Sequence, residues 1–462
     1  MTHGASSAPS LTPESYSPRH RTALVLAGTG TAGAYHAGAL RALHEAGVKI
    51  DLVAGRGVGA VGALFVAVDG AERLWDEKGF WRLQAVRSLY AWRLPVRGVA
   101  AALGVAIALV AVPIALVALG LVVFPIDFVA KMVGLGGAGG SIDAYLRLAH
   151  RGFAPEGLPT WLPRLVLLAL ALAAGLALAD GWKSDPRRPR GALWWRALRA
   201  PLSSTGAVGH TWRVMWDLVR GAAQLKQPPR AELARRYVDL LAENIGQPGF
   251  CELLLTVHDI DAHRDLVRRP TAAAGEARRA EVVDLAGTGR DHLVDAVAGS
   301  LAIPLMTEPH KMTFAADTYW RGETHRVCDR PAGLIRLIDE LIDLGVQQIL
   351  LVAATPEPAG PHALAAPRID GRGRLGEYIL SSEAAIFRDA TTTTGGVRIY
   401  TIRPVHNPIG PFDFAGGFDD RSHRAQPLAE LMARGYEDAY HQFVEPVVGA
   451  SGERVGAGKS GI

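Results

Sequence analysis

The sequence is poor in cysteine and in charge, and it has no large excess of either charge sign. Its 462 residues include only two cysteines, Cys251 and Cys328, which cannot form a disulfide framework and lack zinc-site spacing. Charged residues make up 20% of the chain, and a net charge of +4 gives little support to nucleic-acid binding. By contrast, 49% of the residues are hydrophobic and the mean hydropathy is +0.14, which excludes a disordered or fibrous chain.

Both ends of the chain are polar and rich in small residues. Residues 1–20 contain no apolar run, so they lack a signal-peptide core and predict a disordered tail. Residues 449–462 predict a second flexible tail. The GAGKS near the end is not a phosphate-binding loop, because Glu453 stands where that loop has its first glycine and no helix can follow.

Two long apolar runs interrupt the chain and predict a transmembrane hairpin. The uncharged run from Gly98 to Ile126 would rise about 43 Å as a helix, more than a bilayer core of roughly 30 Å requires. The second run, Leu165 to Ala179, is shorter, but Trp161 and Trp182 near its ends are suited to headgroup depth. A buried core helix is the alternative for the first run, and an interfacial or core helix for the second.

Positive charge around the runs predicts the orientation of the hairpin. Cations lie on both outer flanks, at Lys78, Arg82, Arg87, Arg93 and Arg97 before the first run and at Lys183, Arg187, Arg188, Arg190, Arg196 and Arg199 after the second. Both flanks are therefore expected on the cytoplasmic side of an inner or plasma membrane. Two spans return the chain to its starting side, so residues 21–97 and 183–448 can form one cytoplasmic domain around an inserted region, residues 98–182.

The remaining sequence predicts an α/β domain with a mostly parallel sheet. TALVLA (22–27) reads as a strand, and after a glycine turn and a helical pattern VKIDLVAG reads as the next strand, which together make a parallel crossover unit. Later strands are predicted at 251–257, 347–353 and 397–402, and helices at 230–246 and 332–345. Residues 268–290 and 355–375 predict surface loops.

Two glycine turns follow the first two strands. Gly28-Thr29-Gly30-Thr31-Ala32-Gly33 has the G-x-G-x-x-G spacing, which suits dinucleotide binding or any turn that directs N–H groups at negative charge. A Rossmann site needs an acid at the end of the second strand, whereas Asp51 lies at its start. The second turn, Gly55-Arg56-Gly57-Val58-Gly59, has the glycine spacing of a nucleophile elbow.

Together with LAGTGTAGAYHAGALRALHEAG, this turn resembles the patatin-like phospholipase family, lipid acyl hydrolases with a Ser-Asp dyad and a glycine-rich oxyanion loop. AGSLAIP (298–304) is similar to the segment before the family's aspartate, and residues 318–335 are similar to its aspartate strand with a downstream N-x-P, here Asp329-Arg330-Pro331. NPIGPFDF (407–414) and residues 435–448 resemble the C-terminal part of bacterial members. The resemblance implies a three-layer α/β fold.

This chain departs from the family at both positions of the dyad. Gly57 stands where the resemblance puts the serine, and Arg321, before Gly322, where it puts the aspartate. A dyad needs a hydroxyl and a base, and neither is present in this alignment. In another register Asp317 or Glu323 supplies a carboxylate. Further hydroxyls that could act as a nucleophile are Ser300, Thr29 and Thr31, which as cap or turn residues would have structural roles.

Positive charge replaces the dyad in this interpretation. Arg56 and Arg321 are expected to flank the former active site beside the N–H groups of the loop. The predicted anion site comprises Gly28, Thr29, Gly30, Gly33, Arg56 and Arg321. The alternative is that both arginines face solvent or pair with carboxylates such as Glu323. His258, Asp259, Asp261 and His263 form the one cluster with metal-ligand residue types, but alternate residues of a strand point to opposite faces, so neither a metal nor another cofactor is predicted.

The sequence thus predicts a membrane-anchored, patatin-like pseudohydrolase that binds lipid or an anionic headgroup without hydrolysis, or that has a regulatory or scaffolding role. The expected partners are membrane lipid and either another protein or a second copy of the chain, and not nucleic acid. Two other functions remain open: an active lipid acyl hydrolase with a non-standard nucleophile, and a nucleotide-binding membrane protein.

Overall fold

The computed structural model describes residues 16–134, 139–182, 199–269, 282–284, 292–316, 318–362, 364, 367–392 and 396–449. Its contacts divide the chain into two compact units. Unit 1 comprises Met1–Ala91 and Ser203–Ile462, and unit 2 comprises Trp92–Leu202. The insert predicted at residues 98–182 falls inside the bounds of unit 2.

The helices and strands of the described residues are as follows. The strands are β1 Thr22–Gly28, β2 Leu52–Gly57, β3 Ala91–Trp92, β4 Leu202–Ser203, β5 Glu252–Asp259, β6 Arg264–Arg269, β7 Val282–Asp284, β8 His310–Thr313, β9 Thr324–Cys328, β10 Gln348–Ala353, β11 Arg398–Ile402, β12 Gly417–Asp419 and β13 Arg424–Gln426. The α-helices are α1 Ala32–Glu45, α2 Gly59–Val66, α3 Leu94–Met132, α4 Gly139–Phe153, α5 Leu158–Trp182, α6 Thr205–Arg220, α7 Arg230–Asn244, α8 Leu293–Ser300, α9 Gly333–Asp343, α10 Gly371–Thr392 and α11 Leu428–Ala439. Shorter helical turns cover Ala71–Leu74, Gln84–Ser88 and Tyr440–Val448.

Unit 1 is built on a nine-stranded sheet with the main order β11-β10-β1-β2-β5-β6-β7. The strands from β11 to β5 are all parallel, whereas β6 and β9 pair antiparallel with β5, and β8 pairs with β9. From β1 the chain continues on one side to β2, while β10 lies on the other side. The carboxyl ends of β1 and β2 therefore lie beside a point where the strand order reverses, which is where open α/β sheets bind ligands.

Strand alternation divides the apolar side chains of the sheet between two cores. Leu24, Leu26 and Val53 pack with α1, α2 and α11 in one core. Leu52 and Ala54 pack with α9 and α10 in the other. Helices thus cover both faces of a mostly parallel sheet, which confirms the three-layer α/β fold expected from the sequence.

Unit 2 consists largely of two apolar helices, α3 and α5, which pack along each other, with α4 between them in sequence. The most apolar windows of α3 and α5 have mean hydropathies of 3.0 and 2.2, and only 6% and 11% of those windows are buried. By length and composition, both helices could cross a membrane. Among their described residues, buried positions include small side chains at Ala102 and Ala106 on α3 and at Ala169 and Ala173 on α5.

Several sequence predictions change in the structure. The second apolar run lies in a 25-residue helix, α5, longer than the run itself. The predicted loops at 268–290 and 355–375 overlap β6, β7 and the start of α10. Residues 16–20 of the predicted tail are described, and Tyr16 is fully buried against Phe443 with its ring centroid 5.6 Å away. Residues 1–15 and 450–462, Asp317 and the cations at 183–196 lie outside the described residues.

Candidate functional site

The first two strands of the sheet end side by side at a pair of glycines. Gly28 and Gly57 are partners in the parallel register of β1 and β2, and α2 begins two residues later at Gly59. Gly57 has φ +59°, the left-handed conformation of a sharp turn from strand to helix. A Cβ at this position would lie 2.3 Å from the carbonyl oxygen of Gly28 and 2.9 Å from Oδ2 of Asp329, so a side chain here requires the backbone to move.

Arg56, immediately before this turn, is paired with two buried carboxylates. Strand alternation directs it to the same face as Leu52 and Ala54, and its side chain is only 2% exposed. Its Nη1 lies 3.0 Å and 3.2 Å from the two carboxylate oxygens of Asp329, and its Nη2 donates to Oε1 of Glu383. Arg56 therefore holds the carboxylate that faces Gly57.

The hydroxyl of Thr29 completes this buried network. Thr29 Oγ1 lies 2.7 Å from Oε1 of Glu383 and 3.4 Å from Oδ2 of Asp329. It has a single hydrogen to donate, and the shorter distance favours Glu383 as the acceptor. One guanidinium thus faces two carboxylates, so the formal charge of the group is not positive when both carboxylates are ionised.

Burial sets the protonation of the site. It raises the pKa of Asp329 from 3.8 to about 6, because it outweighs the opposing effect of Arg56, and Glu383 adds to the increase. Behind the loop, burial lowers the pKa of His36 to about 4, so the ring is neutral at pH 7 and contacts the carbonyl oxygen of Ala27 at 3.1 Å. The carboxylates of this group therefore face one strong cation, Arg56.

The backbone N–H groups that an oxyanion would need are bonded to carbonyl oxygens. In acyl transfer, the N–H of the residue after the nucleophile stabilises the tetrahedral intermediate. Here the corresponding N–H, that of Val58, donates to the carbonyl oxygen of Gly28 at 2.9 Å. In the glycine loop, the N–H of Thr31 donates to Pro411 at 3.0 Å, and its hydroxyl donates to Gly410 at 2.9 Å. The segment 407–414 therefore covers the loop.

Little space remains next to the network. The cavity lined by Arg56 and Glu383 has a volume of about 10 Å³, roughly the minimum that accommodates one water molecule. Sites for small molecules usually have volumes on the order of 300 to 1,000 Å³. The cavity beside Arg56 and Glu383 is therefore too small for an acyl chain or a headgroup.

Comparison with known proteins identifies the family. The family model for patatin-like phospholipase matches residues 24–329, from β1 to the carboxylate that faces Gly57. The chain belongs to the patatin-like phospholipase family. Within this family, patatin-like phospholipase domain-containing protein 6 of Mus musculus and of Homo sapiens are each 45% identical to the chain over 60 residues, 13% of this chain. The chain thus matches only about 4% of the length of these relatives.

A solved structure is also similar to this patatin-like chain. The crystal structure of VipD from Legionella pneumophila matches with 13% sequence identity and a TM-score of 0.28. The match covers 94% of this chain and 67% of that chain. At that score the likeness adds nothing to the fold that the sheet itself establishes.

The structure brings most of the predicted site residues together, but not Arg321. Gly28, Thr29, Arg56 and Gly57 lie together at the elbow, and Gly33 is the second residue of α1. Arg321 is exposed in the loop between β8 and β9, at the opposite end of β9 from Asp329. Since β9 alone extends about 16 Å, Arg321 does not join the network, and the prediction that two arginines flank the elbow is wrong.

The other candidate hydroxyls and carboxylates have local partners. Ser300 donates to the helix carbonyl of Ala296 at 2.9 Å, and Glu323 contacts His325 at 3.2 Å. In the cluster of metal-ligand residue types at 258–263, Asp259 contacts His325 and Asp261 pairs with Arg326, so the two carboxylates do not converge. Among the described residues no group of three or more His, Cys, Asp and Glu side chains is arranged to hold a metal ion.

Sequence reasoning misses the two carboxylates of the site. It matches Asp329 to the family's downstream N-x-P, although this residue is itself buried at the end of β9 and its N–H donates to the carbonyl oxygen of Ala302. Glu383 occupies a position in the apolar stripe of α10 that includes Gly376, Ile379 and Phe387. An acid within an apolar stripe indicates a buried partner, and this is the signal available in the sequence.

Proposed function

We propose that this protein is a membrane-held, non-catalytic member of its family, with its main domain on the cytoplasmic side, that binds lipid or regulates a partner. The observation that carries the proposal is the pairing of Arg56 with Asp329 beside a glycine elbow. We assign Asp329, and not Arg321, to the position of the family's catalytic acid. Its carboxylate is bound to a guanidinium and has no serine to activate.

Three separate features support the loss of catalysis. Gly57 provides no attacking atom. The N–H of Val58 is already bonded to Gly28, so the main oxyanion donor is occupied. The cavity beside Arg56 and Glu383, of about 10 Å³, is too small for an ester substrate. Restoration of any one of these features would leave the other two in place.

An active hydrolase that uses Thr29 is the competing function, because Thr29 Oγ1 lies 3.4 Å from Asp329. The geometry argues against it, since this hydroxyl is 2.7 Å from Glu383 and Thr29 is only 4% exposed. A nucleophile needs a base and a path for the substrate, and Thr29 has no such path.

Fluorophosphonate labelling and phospholipid turnover by the purified full chain separate these two functions. We expect no covalent adduct and no turnover. Adduct formation that is lost in Thr29→Ala but kept in Ser300→Ala would establish the competing function. Ser300 is a matched control because its hydroxyl is equally buried but bonds only to helix and strand carbonyls.

Nucleotide binding has less support from the geometry. A phosphate at the glycine loop needs free N–H donors, whereas the N–H groups of Thr31 and Val58 donate to carbonyl oxygens. We expect no shift of the thermal midpoint on addition of ATP or NAD. A concentration-dependent increase would favour a nucleotide-binding membrane protein.

The proposed membrane anchor is supported by the ion pair that joins its two ends. Arg93, just before α3, pairs with Asp180 near the end of α5 at 2.7 Å, and Asp180 is only 8% exposed. This pair holds the ends of two apolar helices together on one side, as a hairpin with both flanks cytoplasmic requires. The exposed apolar faces between these ends have the composition that lipid tails solvate.

Cysteine labelling tests this topology, since both natural thiols are buried. His150→Cys on α4 and Ser422→Cys in the main domain are introduced separately at exposed positions. In intact cells a membrane-impermeant maleimide should label the first and not the second, and permeabilised cells should show both. Equal labelling of both sites in intact cells, or release of the chain from membranes by alkaline carbonate, would contradict the anchor.

A further inference from the structure

A long stretch before and within the first apolar helix contains no acidic residue. From Lys78 to Ile126 there is neither Asp nor Glu, while arginines stand at 82, 87, 93 and 97. Because no acid within the stretch offsets these arginines, its own residues carry a net positive charge that is concentrated locally, although the whole chain has a net charge of only +4. We call residues 82–97 the basic segment.

Three of its four arginines are available to an external anion. Arg93 forms the ion pair with Asp180 that joins the ends of α3 and α5. Arg82, Arg87 and Arg97 are exposed, and none of their side chains forms a hydrogen bond or ion pair with a described residue. Many surface arginines elsewhere are paired, for example Arg326 with Asp261 at 2.6 Å.

Apolar side chains alternate with these arginines. Leu83 is 37% exposed, Trp92 is 52% exposed and Leu94 is 78% exposed. A chain segment with both guanidinium groups and exposed large apolar side chains suits the headgroup region of a bilayer, where phosphates and the first methylenes lie close together. An acidic protein surface would match the charges but not the indole and leucine side chains between them.

The position in the chain also favours a bilayer. Leu94 begins α3, so the chain between Arg87 and the start of the proposed span extends at most about 25 Å. Because the segment is tethered to the span, binding to the same leaflet costs little translational freedom. We propose that the basic segment, through Arg82, Arg87 and Arg97, docks on anionic lipid headgroups of the leaflet in which the proposed span of α3 begins. This inference rests on the proposed membrane anchor.

The test measures hydrogen exchange of the full chain in two kinds of nanodisc, phosphatidylcholine alone and phosphatidylcholine mixed with phosphatidylglycerol. Backbone amides of residues 84–92 should exchange more slowly in the anionic discs, and added salt should abolish the difference. Substitution of Arg82, Arg87 and Arg97 by Gln should remove the extra protection. Each arginine should account for a factor of about five in the protection from exchange.

Two further variants make the result specific. The matching Lys substitutions keep the charge and should retain most of the protection. Substitution of Arg213, Arg374 and Arg388 by Gln removes the same charge from exposed arginines elsewhere and should leave the protection unchanged. Protection that is equal in both discs, or that the control variant removes to the same extent, would overturn the inference. Failure of the wild-type chain to enter discs would instead refute the anchor, and with it this proposal.

Discussion

Gly57→Ser replaces the missing hydroxyl at the elbow, and we expect it to destabilise the protein without restoring hydrolysis. A residue with a side chain at φ +59° costs about 1–2 kcal/mol relative to glycine. The new Cβ would lie 2.3 Å from the Gly28 carbonyl oxygen, and relief of this overlap adds about 1–3 kcal/mol. The total of roughly 2–5 kcal/mol corresponds to a fall of about 3–7 °C in the thermal midpoint of a unit of this size.

The new serine would also lack a free base and a free oxyanion donor, because Asp329 is already paired with Arg56 and the N–H of Val58 is bonded to the carbonyl oxygen of Gly28. Thermal unfolding and turnover of a fluorogenic phospholipid measure the two effects. Gly57→Ala adds the same Cβ without a hydroxyl and should lose as much stability. Gly345→Ala separates the two costs, since Gly345 lies just after the end of α9 at φ +74° with no atom within 4 Å of the point where a Cβ would lie, and should lose only about 1–2 kcal/mol.

Wild-type stability of Gly57→Ser together with turnover above that of Gly57→Ala would refute this reasoning. It would show that the elbow is open enough in solution to hold a side chain and that Asp329 can act as a base. Catalysis would then have been lost by substitution at one position, whereas we attribute the loss to closure of the whole site.

Three other predictions concern the buried groups. Arg56→Met should lower the free energy of unfolding in urea by about 3–5 kcal/mol, because it leaves Asp329 and Glu383 buried without their cation. Addition of Asp329→Asn and Glu383→Gln should recover much of that loss. The pKa of Asp329 is raised from 3.8 to about 6, so between these pH values the folded state holds a proton that the unfolded state has lost. The free energy of unfolding should therefore fall by up to ~3 kcal/mol as pH rises from about 4 to about 6. Over that range the wild type should lose more stability than Asp329→Asn. Burial raises the pKa of both Cys251 and Cys328 to about 12, so iodoacetamide at pH 8 should leave the native thiols unmodified and label both in urea; rapid native labelling would contradict their burial.

Local patterns were sufficient to predict much of the fold. The strands at 22–27, 347–353 and 397–402 and the helices at 230–246 and 332–345 appear within a few residues of their predicted bounds, because each shows a continuous apolar run or a helical stripe. The glycine turns were also predicted correctly, since positive φ at Gly30 and Gly57 requires residues without a Cβ. Loops were less predictable: β7 and the start of α10 formed where polar composition indicated none.

The sequence by itself determined that this chain has an α/β patatin-like fold, two long apolar helices and a glycine turn after its second strand, because each depends on the residue present or on its near neighbours. Only the tertiary structure decided the partners of that glycine. Asp329 and Glu383 lie 273 and 327 residues beyond Arg56 in the chain, and they meet it through the pairing of β5 with β9 and the packing of α10 on the sheet. The charge of a side chain can be read from the sequence. Whether that side chain is buried in an ion pair, as Arg56 is, or exposed to solvent, as Arg321 is, depends on contacts between distant segments.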